Sequence, residues 1–445
     1  MTSPLRLEEL IENIPLEDAV ESKFLLASLR PSEIAHALES TRPTTRRVIW
    51  QLLEEDGRNQ TLQHMSDEVR AEFLEAMDTA QLVAAADELN TDDFADILQQ
   101  LPKTISEQVL ASLDSRDRAR VEAVLSFPED SAGGLMDTDT ITVRPRHTLV
   151  LVLRYLRLRK ELPPGTDALI VVNSDDQYLG MLPLAKVLTS DPSVTVREIM
   201  DSDVPAMHVA QPDTEIARMF SDRDLISAAV VDDGGHLLGR ITIDDVVDVI
   251  IEDAEEAVLG PAGLDVDEDT FAPVHRTVGR RATWLGINLL TAFAAAAVIN
   301  VFEETIVKVV ALAVLMPIVA SMGGIAGTQT LTLVIRGQAL GQLNRRNILW
   351  MLNREFLIAA LNGLLWATLV AITAAILFDD HLLGWVIATA MMITILVAAI
   401  AGSLLPGLLR SLGIDPAIAG GVVLTTITDV VGFFVFLGLA SLVYA

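Results

Sequence analysis

The chain has 445 residues, 32 Lys and Arg against 61 Asp and Glu, a formal charge of −29 and no cysteine. That length exceeds the roughly 100–200 residues of one domain. The lack of cysteine excludes disulfides and thiolate metal sites, and the acidity argues against a nucleic-acid partner and for cations, unless it serves only solubility.

The opening, MTSPLRLEELIENIPLED, is polar and acidic without an apolar core, so no signal peptide is expected. Residues 1 to about 130 show only helical periodicity, in short amphipathic stretches broken by Pro and by capping residues. TDDFADILQQLP repeats the rhythm of TAQLVAAADELN, which predicts a stack of short helices. Asp92, Asp93 and Asp96 share part of one helical turn there, either as a solvated face or as cation ligands.

From about Ser131 the pattern changes to strands alternating with helices. DALIVVNSDDQYLGMLPLAKVL and SAAVVDDGGHLLGRITIDDVVDVI share one layout, about 60 residues apart: strand, acidic turn, strand, helix. The two units resemble a pair of CBS domains. That resemblance implies adenine-nucleotide binding, ATP included, through a G-h-x-T-x-x-D pattern. The second unit fits with Gly239, Thr242 and Asp245; the first departs, with Gly180, Pro183 and Lys186 in those places. The chain then crowds Asp244, Asp245, Asp248, Glu252, Asp253, Glu255 and Glu256 into a short helical run. Like charges at this spacing destabilise an isolated helix, and hard oxygen ligands suit Mg2+ or Ca2+. A solvated acidic linker is the alternative.

Charge then falls away. From Arg276 onward there are 9 basic and 7 acidic residues; taken from the totals, that leaves 23 basic and 54 acidic before it. Five stretches are long and apolar enough to cross a bilayer: Ala282–Phe302, Ile306–Ile335, Phe356–Phe378, Leu382–Leu409 and Ala417–Tyr444. Arg276, Arg280, Arg281, Arg345, Arg346, Arg354 and Arg410 fall on one side, and Glu303, Glu304, Asp379 and Asp380 on the other, with Lys308 near them. The positive-inside rule places the acidic portion in the cytosol and the C-terminus outside. The second span gathers Pro317, Gly323, Gly324, Gly327, Thr328 and Gln329. Such residues either pack helices closely or line a cavity with irregular backbone.

Asp429 is the one charged residue of the fifth span. An ionised side chain near a bilayer centre costs roughly 2.5–3.5 kcal/mol on insertion scales, so it needs a partner, a bundle interior or water. No basic residue shares the segment, and a mobile cation is the natural partner; a protonated Asp that only packs helices is the alternative. Thr425, four residues earlier, lies on the same helix face. Asp415 lies about four turns earlier, roughly 21 Å along the axis, as a mouth carboxylate or a helix N-cap. With 7 His, no Cys and no nucleophile–base constellation, an enzyme is not expected.

Taken together, the chain resembles the MgtE-type magnesium channels over essentially its whole length. The motifs are FPEDSAGGLM (Phe127 to Met136), MPIVASMGGIAGTQ in the second span, and GIDPAIAGGVVLTTITDVVG (Gly413 to Gly432). The resemblance implies a multidomain fold: an all-α helical N-domain over 1–130, an α+β tandem CBS pair over 131–252, a connecting (plug) helix over 253–281, and a pore domain of five transmembrane helices over 282–445. It implies a homodimer in the plasma (inner) membrane that imports Mg2+. Asp429 would hold the hydrated ion, with the backbone carbonyl of Thr425 one turn before it and Asp415 at the inner mouth. Cytosolic Mg2+ would close the pore by bridging Asp92, Asp93 and Asp96 with Asp224, Asp245, Asp248, Glu252, Glu255 and Glu256. One departure stands out: family members commonly carry Asn where this chain has Ile325 after Gly323 and Gly324, and an amide, unlike Ile, can hydrogen-bond an ion's water shell. Transport of another divalent ion, such as Co2+ or Mn2+, stays open. So does a membrane-anchored nucleotide sensor.

Overall fold

The structure is a computed structural model that describes residues 19–444 apart from 87–88, 160–161, 265, 267, 340–341 and 344–345; the side chains of 19–21, 56 and 339 are also outside it. Arg345 and the polar opening of the chain therefore lie outside the described residues. The chain divides into two compact units, one running to Ala254 and including Asp267–Ala272, the other formed by Glu255–Val266 and Pro273–Ala445.

The first unit begins with short helices from Ala19–Leu26 to Ser115–Val124. Their starts follow local chemistry. Pro31 and Pro43 stand at first helical positions, where a missing N–H costs nothing. Asp114 caps its helix by accepting from the N–H groups of Arg116 and Asp117. One apolar face of each helix is sealed, with Leu38, Ile49, Leu62, Leu82 and Ile97 fully buried. This core does not end at residue 130. It continues through Met136, Phe220, Ile241 and Val246, so the helical stack and the second CBS unit share one hydrophobic cluster. FPEDSAGGLM makes the joint: Ala132 N–H donates to Gln211 O and Gly133 N–H to Val209 O.

The duplication is exact in topology. Strands β1 (Thr142–Val143), β2 (Ala168–Val172) and β3 (Tyr178–Pro183) form one sheet; β4 (Met207–His208), β5 (Ser227–Val231) and β6 (Leu237–Thr242) form another. In each, the first pair is parallel and the second antiparallel, with a register irregularity at the equivalent place. The sheets meet through Ile170, Val172, Met181 and Ala229.

The second unit contains five helices long and apolar enough to cross a membrane: Val274–Val301, Ala311–Gln338, Ile348–Phe378, His381–Ser411 and Pro416–Val443. They correspond to the five expected spans, and several run further, because a helix does not stop where apolarity does. The fourth is the central one, burying Ile387, Met391, Ile395 and Ala399 among its neighbours. The second stays helical through Pro317. The connecting segment differs from expectation. Instead of one helix over 253–281, a helix begins inside the CBS unit at Ile243, ends at Leu259, and passes into a 3-10 turn at Gly260–Ala262. Pro261 and a left-handed Gly263 (φ 69°) break it, and helix resumes at Val274.

Candidate ion path and acidic clusters

In the second unit a groove of about 760 Å3 runs between the second and fifth spans. Asp429 and Thr425 both line it, as their four-residue spacing requires, opposite Gly324, Thr328 and Gln329. Asp429 is half-buried, and among the described residues no side chain pairs with it. Thr425 is exposed; its hydroxyl donates to Gly421 O at 2.9 Å, and its carbonyl accepts the Thr428 hydroxyl at 3.0 Å. Asp415 does cap the fifth span, accepting from Ala417 N–H at 2.5 Å, and it is exposed outside the groove lining.

Three expected lining residues are not in the groove: Pro317, Gly323 and Gly327. The two glycines serve packing instead. A Cβ on Gly323 would come within 2.6 Å of Thr394 Cγ2, and one on Gly327 within 3.0 Å of Leu424 Cδ2. The fourth span returns the contact, since a Cβ on Gly402 would lie 2.7 Å from Gly327 O. These small residues let backbones approach, as in other membrane helix pairs. Ile325, singled out in the sequence, lines the groove, and so do Ser321, Thr332 and Arg336, which were missed. The signal was present: they continue the helical face of Gly324, Thr328 and Gln329.

In the first unit, helix Thr91–Gln100 brings its carboxylates against the second CBS unit. Burial, then the neighbouring Asp245 and Asp93, push Asp92 well above the ordinary carboxylate range. Burial and Asp245, with Asp248 and Asp244 adding, raise Asp93 to about 7 against the pull of Arg70. Asp96 is raised to about 8 by burial, then Glu129. Oδ1 of Asp92 and of Asp96 are buried without a hydrogen-bond partner. Asp92, Asp93, Asp245 and Asp248 thus come together across facing elements. Among the described residues no three such side chains form a ready metal centre. Asp224 is exposed in a left-handed helix cap (φ 52°) and is not among the charges acting on Asp92, Asp93 or Asp96. Glu252 and Glu255 are exposed, Glu256 half-buried.

The expected nucleotide pair has a different setting. Thr242 is buried, its hydroxyl donating to Asp244 and, at 2.9 Å, to Asp245 Oδ2. Asp245 is raised to about 6, chiefly by burial. Phosphate beside these groups would meet Asp92, Asp93 and Asp244 as well, and like charges repel.

A bundle of apolar spans around an acid-bearing groove, joined to a helical stack and a CBS pair, defines a membrane cation-transport protein with a large soluble portion. Comparison with known proteins narrows this. Residues 316–439 match the MgtE divalent cation transporter family, 29–130 the MgtE intracellular N domain, and 196–252 the CBS domain. The magnesium transporter MgtE of Thermus thermophilus is 32% identical over 94% of each chain. That of Bacillus subtilis is 28% identical over 94% of this chain and 93% of its own. The crystal structure of the cytosolic domain of the Mg2+ channel MgtE in complex with ATP is similar at 31% identity and a TM-score of 0.50, covering 55% of this chain and 99% of that one. The chain belongs to the MgtE family of magnesium transporters.

Proposed function

We propose that this chain is a Mg2+-selective channel, a homodimer in the plasma membrane that imports magnesium and is shut by cytosolic Mg2+. The observation that carries the reading is Asp429 in a groove with Thr425, Thr328 and Gln329 and no partner of its own among the described residues. Mg2+ dehydrates reluctantly. A wide groove offering one carboxylate and several hydroxyl and amide groups suits a hydrated ion held through its waters. The loop arginines support an orientation with the soluble portion in the cytosol and the C-terminus outside.

The regulatory reading rests on the first unit. Its buried, unpartnered carboxylate oxygens and the raised Asp92, Asp93 and Asp245 fit a divalent cation. Asp92, Asp93, Asp96, Asp245 and Asp248 would hold it, with Glu252 and Asp224 as outlying contributors; Glu255 and Glu256 belong to the second unit. Bound there, Mg2+ supplies positive charge that offsets their repulsion. Without it these side chains repel one another and loosen the contact between helix Thr91–Gln100 and the second CBS unit. An ion that favours the packed state in this way shifts the population only by its differential affinity. Nucleotide binding, by likeness to the ATP-bound cytosolic domain, is assigned to the CBS pair, although the acidic setting of Thr242 and Asp245 disfavours phosphate there.

Ile325 in the groove favours a second reading, transport of Co2+ or Mn2+. An anchored sensor without transport, like an enzyme, leaves the unpaired carboxylate of the groove unexplained. The test is ion flux into liposomes with competing divalents, wild type against Asp429→Asn. The expected result is Mg2+ flux in the wild type and its loss in the variant. A variant that conducts like wild type overturns the assignment of Asp429.

A further inference from the structure

The groove that holds Asp429 carries one other charged side chain, Arg336. It stands in the last turn of the second-span helix, is exposed, and takes part in no ion pair among the described residues. An arginine at the end of a span ordinarily anchors it at the membrane surface. Arg336 instead continues the stripe of Ser321, Ile325, Gln329 and Thr332 that faces the groove.

The packing fixes its level. A Cβ on Gly323 would touch Thr428, one on Gly327 would touch Leu424, and one on Gly420 would touch Leu331. Each step of four along the second span is a step of four back along the fifth, so the helices run antiparallel in a constant register. Continued by about one more turn, that register puts Arg336 level with Asp415 at the end of the groove beside the arginine-bearing loops. Asp429 lies roughly 21 Å further along the axis, and the interaction of two charges falls with their separation. Charge at Arg336 therefore acts more strongly on an ion at the inner end than on one at Asp429.

We propose that Arg336 is a specificity-determining residue of the ion path, a fixed positive charge that offsets the Asp415 carboxylate and lets a divalent cation leave the groove. A fixed charge acts on an ion in proportion to the ion's own charge, so a divalent ion is held by a bare carboxylate twice as strongly as a monovalent one. Conduction requires binding weak enough to release. Asp415 stands outside the groove lining but at the level of Arg336; with Arg336 in place that end is balanced, and without it the carboxylate holds back the leaving ion. This rests on the reading that the groove conducts Mg2+ towards the cytosol.

The test is Mg2+ flux against Mg2+ concentration, with the full chain in liposomes. Arg336→Gln is expected to lower saturating flux about threefold and Arg336→Glu about tenfold, half-saturating Mg2+ falling in both, whereas Arg336→Lys restores flux. Adding Asp415→Asn to Arg336→Gln is expected to recover flux, which a packing defect would not do. Asp415→Asn alone leaves Arg336 unbalanced and raises half-saturating Mg2+, the opposite sign, so the inference stays testable even where Arg336→Gln does not fold. Unchanged saturation in the Gln and Glu variants, a Lys variant as impaired as Gln, or a double variant that fails to recover each overturns it. A wild type that conducts no Mg2+ overturns the transport reading instead.

Discussion

Arg46 and Asp269, 223 residues apart, form a two-bond ion pair in the first unit, Nη1 to Oδ2 at 2.8 Å and Nη2 to Oδ1 at 3.1 Å. The side chains are 1% and 6% exposed. Arg46 also donates through Nε to Leu38 O, and Glu68 accepts from the Asp269 N–H. The pair ties the chain just ahead of the first span to the helical stack. Removing one partner of a buried pair costs about 3–5 kcal/mol where the other is left uncompensated; Glu72 Oε2, 3.5 Å from Arg46 Nη1, offsets part of that here. Asp269→Ala should therefore lower the melting temperature of the first unit and expose residues 268–272 to protease. Limited proteolysis of the full protein in detergent, with melting followed in parallel, checks this; wild-type cleavage would show that the pair does not hold the segment.

The acidic cluster predicts a pH dependence of definite sign. Asp245, Asp93 and Asp96 are raised to about 6, 7 and 8. Groups with raised values bind protons more tightly folded than unfolded, so stability falls as pH rises between the ordinary carboxylate value and these folded values. Without Mg2+ the packed first unit should be firmest near about pH 4 and weaken through about pH 8. Added Mg2+ should then stabilise it far more at the higher pH. Melting curves at both pH values, with and without Mg2+, measure the difference; equal Mg2+ stabilisation at both would reject the cluster as the binding region.

Ile325 faces the groove and is 55% exposed. Asn there would add an amide able to hydrogen-bond a hydrated ion. Ile325→Asn is expected to shift the flux ratio of Mg2+ over Co2+ or Mn2+ by about threefold or more, on the order of 0.6 kcal/mol. Competition flux assays read the ratio directly, and an unchanged ratio would remove position 325 from selectivity.

Gly402 and Gly324 should respond oppositely to the same substitution. A Cβ on Gly402 would press on Gly327 O at 2.7 Å and Leu331 N at 3.1 Å, both backbone atoms that cannot turn aside. Overpacking of this kind costs about 1–3 kcal/mol. Gly324 has nothing within 4 Å of the added atom. Gly402→Ala should melt lower in detergent and Gly324→Ala should melt like wild type; equal melting would contradict the packing described for the second and fourth spans.

Local periodicity determined much of this protein before any contact was known. A bilayer sets a minimum apolar length, so the five spans were legible, and so was the duplicated strand–turn–strand–helix unit. The 3.6-residue period placed Asp429 with Thr425, and Gly324 with Thr328 and Gln329. Only the tertiary structure decided which neighbour each face meets. It turned Gly323 and Gly327 towards packing, added Ser321 and Arg336 to the groove, merged the helical stack with the second CBS core, and set Asp92 and Asp93 against Asp245. It also joined Arg46 to Asp269. Periodicity tells which residues share a face; burial and charge pairing between segments far apart in the chain depend on how those faces dock, which no local pattern encodes.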